Sequence, residues 1–193
     1  MKRILKFLLL VPVILYFLYA CVYHRITHMD KNDLEWVTNR YVGETMCFNS
    51  SKEIKATAVV TDVKIYNSLN PINTNYNVSD EYIALAYIQY RLTNEEDTIS
   101  GSFFVEKLYN DAPVYISCGL GQRWAEKVPQ KITKLQIGNA EINDIVEFDS
   151  HNYGLAGDDG LVNPIVSFAW SKKYGLVKYT FKDGTTYTRI DIE

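Results

Sequence analysis

Alternation of apolar and polar residues with a period of two dominates the chain after residue 44. In residues 54–65 the even positions up to Val60 are apolar, and the odd positions from Thr57 to Ile65 are threonine, valine or isoleucine. Residues 82–90 alternate in the same way. Both segments are rich in β-branched and aromatic residues, which is typical of strands. Because apolar residues occur on both faces, we expect central strands covered on each side.

The same alternation predicts further strands between turn signals. They are residues 97–108, 112–118, 131–137, 141–148, 164–171, 174–182 and 185–192. Gly138-Asn139 and Asp183-Gly184 are two-residue hairpin signals. Residues 67–80, with five asparagines, and residues 149–163, rich in glycine and aspartate, have the composition of loops.

One short helix is predicted near residues 31–41, with Asp30 among its N-cap candidates. Leu34, Val37 and Tyr41 fall on one helical face of this segment. A helix of this size is expected to plug one end of the domain.

The fold class that follows is all-β. We expect about nine or ten strands in a single antiparallel domain over residues 32–193, arranged as a sandwich or a curved half-barrel. Residues 22–31 are interpreted as a tether. Residues 1–21 are interpreted as a signal peptide or an N-terminal anchor helix.

The N-terminus has the layout of a secretory signal. Basic residues at positions 2, 3 and 6 precede an uncharged run of 17 residues, Phe7 to Tyr23. That run is at the short limit for a helix that crosses a bilayer, which takes about 20 residues. Cations before the run favour a cytoplasmic N-terminus and an exported remainder.

Within the run, Leu18-Tyr19-Ala20-Cys21 resembles the lipobox of bacterial lipoproteins. The resemblance implies cleavage before Cys21 and attachment of a diacylglycerol to its sulfur. An uncleaved anchor helix is one alternative, and ordinary cleavage of a signal peptide is another. All three place the domain outside the cytoplasm in the bacterial cell envelope, and a lipid or an anchor helix would hold it at the inner or the outer membrane through its N-terminus.

A wider similarity covers most of residues 33–190. Residues 33–36, 67–71 and 171–179, with the Asp183-Gly184 hairpin, are similar to those of small, uncharacterised bacterial cell-envelope lipoproteins. In these proteins a Gly-Leu-Val or Gly-Leu-Ile step opens the penultimate strand. The similarity implies an envelope location and brings no known activity or catalytic residue.

Charge excludes one class of partner. Residues 22–193 carry 17 basic and 23 acidic side chains, a net charge of −6. An acidic domain with scattered cations is a poor ligand for nucleic acid, which binding proteins neutralise with clustered lysine and arginine.

Two cysteines follow Cys21 in the chain. In an oxidising compartment Cys47 and Cys118 could pair as a disulfide, and the alternative is two buried thiols that act as small apolar residues. The absence of a Cys-x-x-Cys sequence removes support for a zinc ribbon or a redox site.

One loop has the oxygen-rich composition that suits calcium. Asp149, Asp158 and Asp159 are its acidic residues, but their spacing does not follow the EF-hand pattern. A solvated loop is the alternative, and we assign no metal and no cofactor.

No catalytic constellation is evident. A Gly-x-Ser-x-Gly elbow is absent from the sequence. A Cys118–His151 pair and a carboxylate pair within residues 141–149 are conceivable, but residues of these types occur together in most chains. We therefore expect a protein that is not an enzyme.

The many aromatic residues have two interpretations, which lead to different functional hypotheses. The 15 tyrosines and eight phenylalanines could fill a core or line an apolar cavity. The leading hypothesis is a non-enzymatic envelope lipoprotein that docks to another envelope protein or assists envelope assembly. A carrier of lipid or another small apolar ligand is the alternative, and an envelope hydrolase is a third class.

Overall fold

A computed structural model describes residues 11–12, 25–66, 81–94, 97–121, 123–125, 128–129, 131–149 and 163–192. From residue 25 onward these ranges contain one helix, α1 (Lys31–Thr38), and fourteen strands. The strands are β1 Arg25–Ile26, β2 Thr45–Ser50, β3 Lys55–Tyr66, β4 Glu81–Tyr82, β5 Ala84–Asn94, β6 Thr98–Lys107, β7 Tyr115–Leu120, β8 Arg123–Trp124, β9 Val128–Pro129, β10 Thr133–Ile137, β11 Ala140–Asp149, β12 Ile165–Ser171, β13 Gly175–Phe181 and β14 Thr186–Arg189.

Twelve of these strands form one open antiparallel sheet. Its order is β10-β11-β12-β13-β14-β2-β3-β5-β6-β7-β8, and β9 also pairs with β7. The two-residue strands β1 and β4 form a separate parallel pair. Within the described residues, ten strands of the main sheet are four residues or longer. The prediction of an all-β antiparallel fold with nine or ten strands is confirmed.

Both predicted hairpins are present. Gly138 and Asn139 join β10 to β11, where Ile137 and Ala140 are opposed in register. Gly184 lies in the turn between β13 and β14. Gly138 and Gly184 have φ angles of 56° and 85°, values that a residue without a Cβ adopts at little cost.

The sheet folds back on itself, because strands that are far apart in its order meet in the core. The indole of Trp170 in β12 stacks on the ring of Phe103 in β6, with centroids 4.2 Å apart and planes 10° apart. Six strand-to-strand steps separate β12 from β6, which in a flat sheet would span about 29 Å. The open sheet is therefore curved so strongly that its two walls share one apolar core.

The expected coverage of both faces is wrong for β3 and β5. Ala58 and Ile88 are fully buried, whereas Val59 is 37 % exposed and Gln89 is exposed. A valine on the solvent side of a strand satisfies the strand's preference for β-branched residues without needing burial. We call the side of β3, β5, β6 and β7 that faces away from the core the outer face.

The other half of the sheet does have apolar residues packed on both sides. Ala169 of β12 and Val177 of β13 alternate with core residues and pack with Ile142 and Ile145 of β11 in a second, smaller cluster. Apolar packing on both faces therefore occurs at β12 and β13, where it was not predicted, and not at β3 and β5.

Helix α1 begins where the sequence predicts. The Asp30 carboxylate accepts a hydrogen bond from the backbone N–H of Asp33 at 2.8 Å, and the Asp33 carboxylate accepts one from the N–H of Asp30 at 3.3 Å. This reciprocal cap satisfies two of the helix's first donors. The helix ends at Thr38, so the predicted face is wrong at Tyr41, which is 66 % exposed. Val37 of the predicted face is buried as expected, and Trp36 is buried where Tyr41 was expected.

Contacts on two sides hold α1 across one end of the curved sheet. On one wall the Lys107 ammonium at the end of β6 lies 2.9 Å from the Asp33 carboxylate, in a pair whose side chains are about nine-tenths buried. On the other wall the Asn39 amide donates to the carbonyl of Lys172, in the turn after β12. The helix thus links the two walls.

The segment preceding α1 is not a free tether. Thr27 and Met29 are buried, and the Thr27 hydroxyl donates to the carbonyl of Leu108 at 3.2 Å. The backbone N–H of His28 donates to the Asn110 side chain at 2.8 Å. A sequence of polar and basic residues suggested a solvated linker, but two side chains of the segment reach the core region. The predicted tether over residues 22–31 is therefore wrong from residue 27 onward.

Candidate functional site

Four aromatic side chains form a row across the outer face of the sheet. Tyr66 of β3, Tyr87 of β5, Phe104 of β6 and Trp124 of β8 are neighbours in that order. Their ring centroids are 6.2, 5.5 and 5.2 Å apart in succession. We call these four residues the aromatic row. It runs across the strands, because each member comes from a different one.

Strand register places the row on the solvent side. Tyr87 and Phe104 are directly opposed across β5 and β6, while the neighbouring pair Ile88–Phe103 points into the core. Tyr66 is 46 % exposed and Trp124 is 38 % exposed. Aromatic pairs at these spacings stabilise a sheet. Their exposed surface also forms an apolar patch of the kind that marks binding sites.

Charged groups border the row at β3. The Lys64 ammonium lies 2.8 Å from the Asp62 carboxylate and 5.7 Å from the centroid of the Tyr87 ring. The Tyr87 hydroxyl is 3.5 Å from the same carboxylate. The hydrogen bond from Lys64 holds the pKa of Asp62 below its ordinary value. The two charges therefore engage each other and stay ionised at neutral pH.

The curved sheet encloses a filled core. Besides the Trp170–Phe103 stack, the Tyr90 ring lies 5.7 Å from Trp170 and its hydroxyl donates to the carbonyl of Gly119 at 3.2 Å. Trp36 of α1 packs 6.1 Å from Phe103. These aromatic rings occupy the interior that a carrier would keep open.

A cavity of about 410 Å³ lies at the end of the sheet opposite α1. Its apolar walls come from the beginnings of β6 and β12 and the ends of β7 and β13, namely Ile99, Ile165, Leu120 and Phe181. Arg123 and Asn163 lie at its polar border. This half-open space with apolar walls is a candidate site for a small apolar ligand.

Cys47 and Cys118 are free, so the disulfide alternative is wrong. Four strand-to-strand steps separate β2 from β7, and the two residues face opposite sides of the sheet. Cys47 is half-buried on the side away from the core, whereas Cys118 is fully buried inside it. Disulfide formation requires Cα atoms within about 7 Å of each other.

Cys118 behaves as a core residue. Its sulfur lies 3.8 Å from the Tyr90 hydroxyl, and burial raises the pKa of the thiol. A nucleophilic cysteine needs the opposite, a lowered pKa and access to substrate. His151, its conceivable partner, lies outside the described residues.

The proposed calcium loop is described only at its start. Asp149 ends β11 opposite Ser167, and Asp158 and Asp159 lie outside the described residues. Across the part of the chain that the structure describes, there is no group of three or more histidine, cysteine or acidic residues placed to hold a metal ion.

Described carboxyl groups with shifted pKa values are all shifted downward. The pKa of Asp183 is lowered by hydrogen bonds, first from Lys52 and then from Thr185. Burial raises the pKa of Asp191, but the hydrogen bond and charge of Arg189 outweigh it, so the net direction is downward. A general acid needs a raised pKa. These groups are suited to ion pairs and turns.

The N-terminal expectations mostly concern residues beyond the described ranges. Cys21, the predicted lipidation site, is among them. Where the chain is described, it includes no helix with both the length and the apolar character needed to cross a membrane. Lipidation and anchoring therefore stay predictions.

Sequence reasoning did not identify the aromatic row. Trp124 lies between the strands that the sequence predicts, but it belongs to β8 and is 38 % exposed. The alternation did contain relevant information. Tyr87 and Phe104 are each adjacent in sequence to a core residue, Ile88 or Phe103, and therefore lie on the opposite face of their strand. The sequence alone does not show the register between neighbouring strands, and that register brings the four rings side by side.

In comparisons with known protein families, curated proteins and solved structures, the chain matches none of them.

Proposed function

We propose that the chain is a non-catalytic binding module held at the bacterial cell envelope, which docks to another envelope component through the outer face of its sheet. The aromatic row carries this proposal. Four rings aligned on the solvent side, two of them at least 38 % exposed, form a ready-made contact surface. Tyrosine and tryptophan are enriched at the centres of binding sites.

The architecture suits a surface that must keep its shape on binding. Tyr87 and Phe104 belong to the two longest adjacent pairings of the sheet, β3 with β5 and β5 with β6. Rings fixed on rigid strands lose little conformational freedom when a partner arrives, which favours affinity. An N-terminal lipid or anchor would hold this surface at the membrane.

Non-catalytic action is supported by the chemistry of the described groups. The perturbed carboxyl groups form ion pairs, and the perturbed thiol and phenols of Cys118, Tyr90 and Tyr179 are buried with raised pKa values. Active sites instead use accessible groups whose pKa values lie near the working pH.

Carriage of a small apolar ligand is a second candidate, favoured by the cavity of about 410 Å³ lined by Ile99, Leu120, Ile165 and Phe181. Its size is at the lower part of the range for ligand sites, about 300–1,000 Å³. The filled core restricts such a ligand to this end of the sheet.

Site-specific photo-cross-linking in intact cells tests the docking surface. The full chain is produced with benzoylphenylalanine in place of Tyr87, or in place of Tyr41 as the control. Tyr41 is 66 % exposed and lies outside the aromatic row. We expect a discrete adduct from position 87, with protein or with glycan, that is lost when Trp124→Ala is added.

The same experiment has contradicting outcomes. Equal adducts from positions 87 and 41 would mean non-specific contact, and no adduct from position 87 would mean that the outer face is unoccupied. Either result would remove the basis for docking. Native mass spectrometry of the full chain tests the carrier alternative, which predicts a co-purifying apolar molecule that Leu120→Trp displaces.

A further inference from the structure

Beside the aromatic row, the outer face contains a groove of about 500 Å³. Gly101 and Gly119 line it, and Trp124 also borders it. Side chains around the groove come from β3, β5 and β6, and they are Thr61, Gln89, Arg91, Ser100 and Ser102. We call the space bounded by these residues the Trp124 groove.

Glycine at position 119 allows Trp124 to lie against the sheet. The two residues are opposed across β7 and β8, and a Cβ on Gly119 would lie 2.7 Å from Cε3 of the indole. Real Cβ atoms do not approach ring carbons so closely. The same Cβ would lie 3.2 Å from the Ser102 hydroxyl. The absence of a side chain therefore brings indole and hydroxyl together at the groove.

The polar border of the groove is almost entirely uncharged. Hydroxyl and amide groups of Thr61, Gln89, Ser100 and Ser102 each offer both a donor and an acceptor. Arg91 is the one charged side chain among the described residues that line it, and no carboxylate does. A matching ligand carries several uncharged groups that donate and accept hydrogen bonds, with an apolar surface for the indole.

A sugar ring has this chemistry. A pyranose presents C–H bonds on its faces and hydroxyl groups around its edge, and the electron-rich face of an indole attracts the C–H bonds. An acyl chain would leave the border's polar groups without hydrogen-bond partners. An anionic polymer is disfavoured, because the exported part of the chain carries a net charge of −6 and the groove has a single cation.

The aromatic row continues the groove across the strands. From Trp124, successive centroid distances of 5.2 and 5.5 Å lead to Phe104 and Tyr87. A ligand of several rings can therefore extend over the row from the groove. We propose that the Trp124 groove binds an uncharged oligosaccharide, with one sugar ring over Trp124 and the following units along the aromatic row.

This proposal rests on the proposed docking function and names the class of the docked component. Its test is isothermal titration of the purified full chain with three uncharged probes, the tetrasaccharides of N-acetylglucosamine, β-1,4-linked glucose and α-1,4-linked glucose. Tetragalacturonate serves as the anionic comparison. Tryptophan fluorescence gives a second readout, because Trp36 and Trp170 are at most 1 % exposed and only Trp124 can meet an added sugar.

We expect at least one uncharged tetrasaccharide to bind and to change the fluorescence. Trp124→Ala should weaken that binding at least about tenfold, and Gln89→Ala should weaken it less. Tyr41→Ala, outside the row, should leave it unchanged. Because Gln89 is exposed, its replacement should leave the fold intact. Gln89→Ala therefore still tests the groove if Trp124→Ala is unstable.

Three results would overturn the proposal: heat from none of the uncharged probes, binding that neither Trp124→Ala nor Gln89→Ala weakens, or a preference for tetragalacturonate. Docking itself is judged separately. Cross-linking from position 87 to a protein, together with titrations that show no binding of any sugar, would mean that the outer face docks a protein. The oligosaccharide proposal would then be wrong, and the docking proposal would stand.

Discussion

Gly119 and Trp124 are opposed across two short strands, and the indole occupies the space where any side chain at position 119 would begin. This relationship sets the position of the most exposed tryptophan in the described structure and creates one side of the groove. It therefore links a single glycine to the proposed binding surface.

Gly119→Ala should push the Trp124 ring away from the sheet. Because the added Cβ would lie 2.7 Å from Cε3, we expect a loss of about 1–3 kcal/mol in the free energy of unfolding. We also expect stronger quenching of tryptophan fluorescence by acrylamide. Ser102→Ala, which only removes atoms beside the ring, is the control. Quenching of Gly119→Ala at the wild-type level would show that the indole does not depend on the glycine.

The buried pair between Lys107 and Asp33 should be a major stabilising contact of α1. Lys107→Met leaves the Asp33 carboxylate about nine-tenths buried without its cation, so we expect a loss of about 3 kcal/mol in the free energy of unfolding. The matched control is Lys134→Met, because the Lys134–Glu141 pair is mostly exposed, and its loss should be below about 1 kcal/mol. Equal losses in urea denaturation would contradict a special role for the buried pair.

Asp183 should make stability depend on pH in the acid range. Hydrogen bonds from Lys52 and Thr185, at 2.8 Å each, lower its pKa in the folded chain. A carboxyl group with a lowered pKa stabilises the fold above its unfolded pKa, about 3.9, and that contribution is lost as the pH falls through the folded value.

We therefore expect Asp183→Asn to lower the Tm at pH 6, with a difference from wild type that narrows as the pH falls below about 4. Circular dichroism melts at several pH values measure the difference. Glu147→Gln, which removes a charge from an exposed strand position, is the control. A constant difference from pH 6 to the acid limit would indicate that the Asp183 charge contributes nothing.

Two features of this fold could be predicted from particular residues in the sequence. Period-two alternation predicted the antiparallel sheet, because side chains such as Ala58 and Ile88 need a buried face whatever the order of the strands. Gly138 and Gly184 predicted two hairpins, because their turns need positive φ angles. Both signals can be found in the sequence because strand alternation and turn conformation depend on residues that are close together along the chain.

Sequence could not give the features that depend on distant partners. The curvature of the sheet depends on the contact between Phe103 and Trp170, which are on strands six steps apart. Burial of Thr27 and Met29 depends on their contact with the rest of the domain. For the same reason the aromatic row and the Trp124 groove were not predicted, since they combine residues of four or more strands.

Anchoring through a lipid on Cys21 is a prediction about a residue outside the described ranges. Metabolic labelling with a fatty-acid analogue should mark the wild-type chain, and Cys21→Ala should abolish the label and release the chain from the membrane fraction. Cys47→Ala is the control for loss of a thiol. An unlabelled chain that stays in the membrane fraction would contradict lipidation and favour an uncleaved anchor helix.

The most direct test of the central claim is co-sedimentation of the purified full chain with detergent-extracted envelope fragments from the cells that produce it, in detergent, so that an N-terminal lipid or anchor helix contributes no membrane binding. The double variant Tyr66→Ala/Trp124→Ala removes the two most exposed rings of the aromatic row. Its matched control, Tyr41→Ala/Tyr109→Ala, removes two exposed rings elsewhere. We predict that wild type and control sediment with the fragments and that the row variant stays in solution. A row variant that sediments as completely as wild type would contradict binding through the outer face.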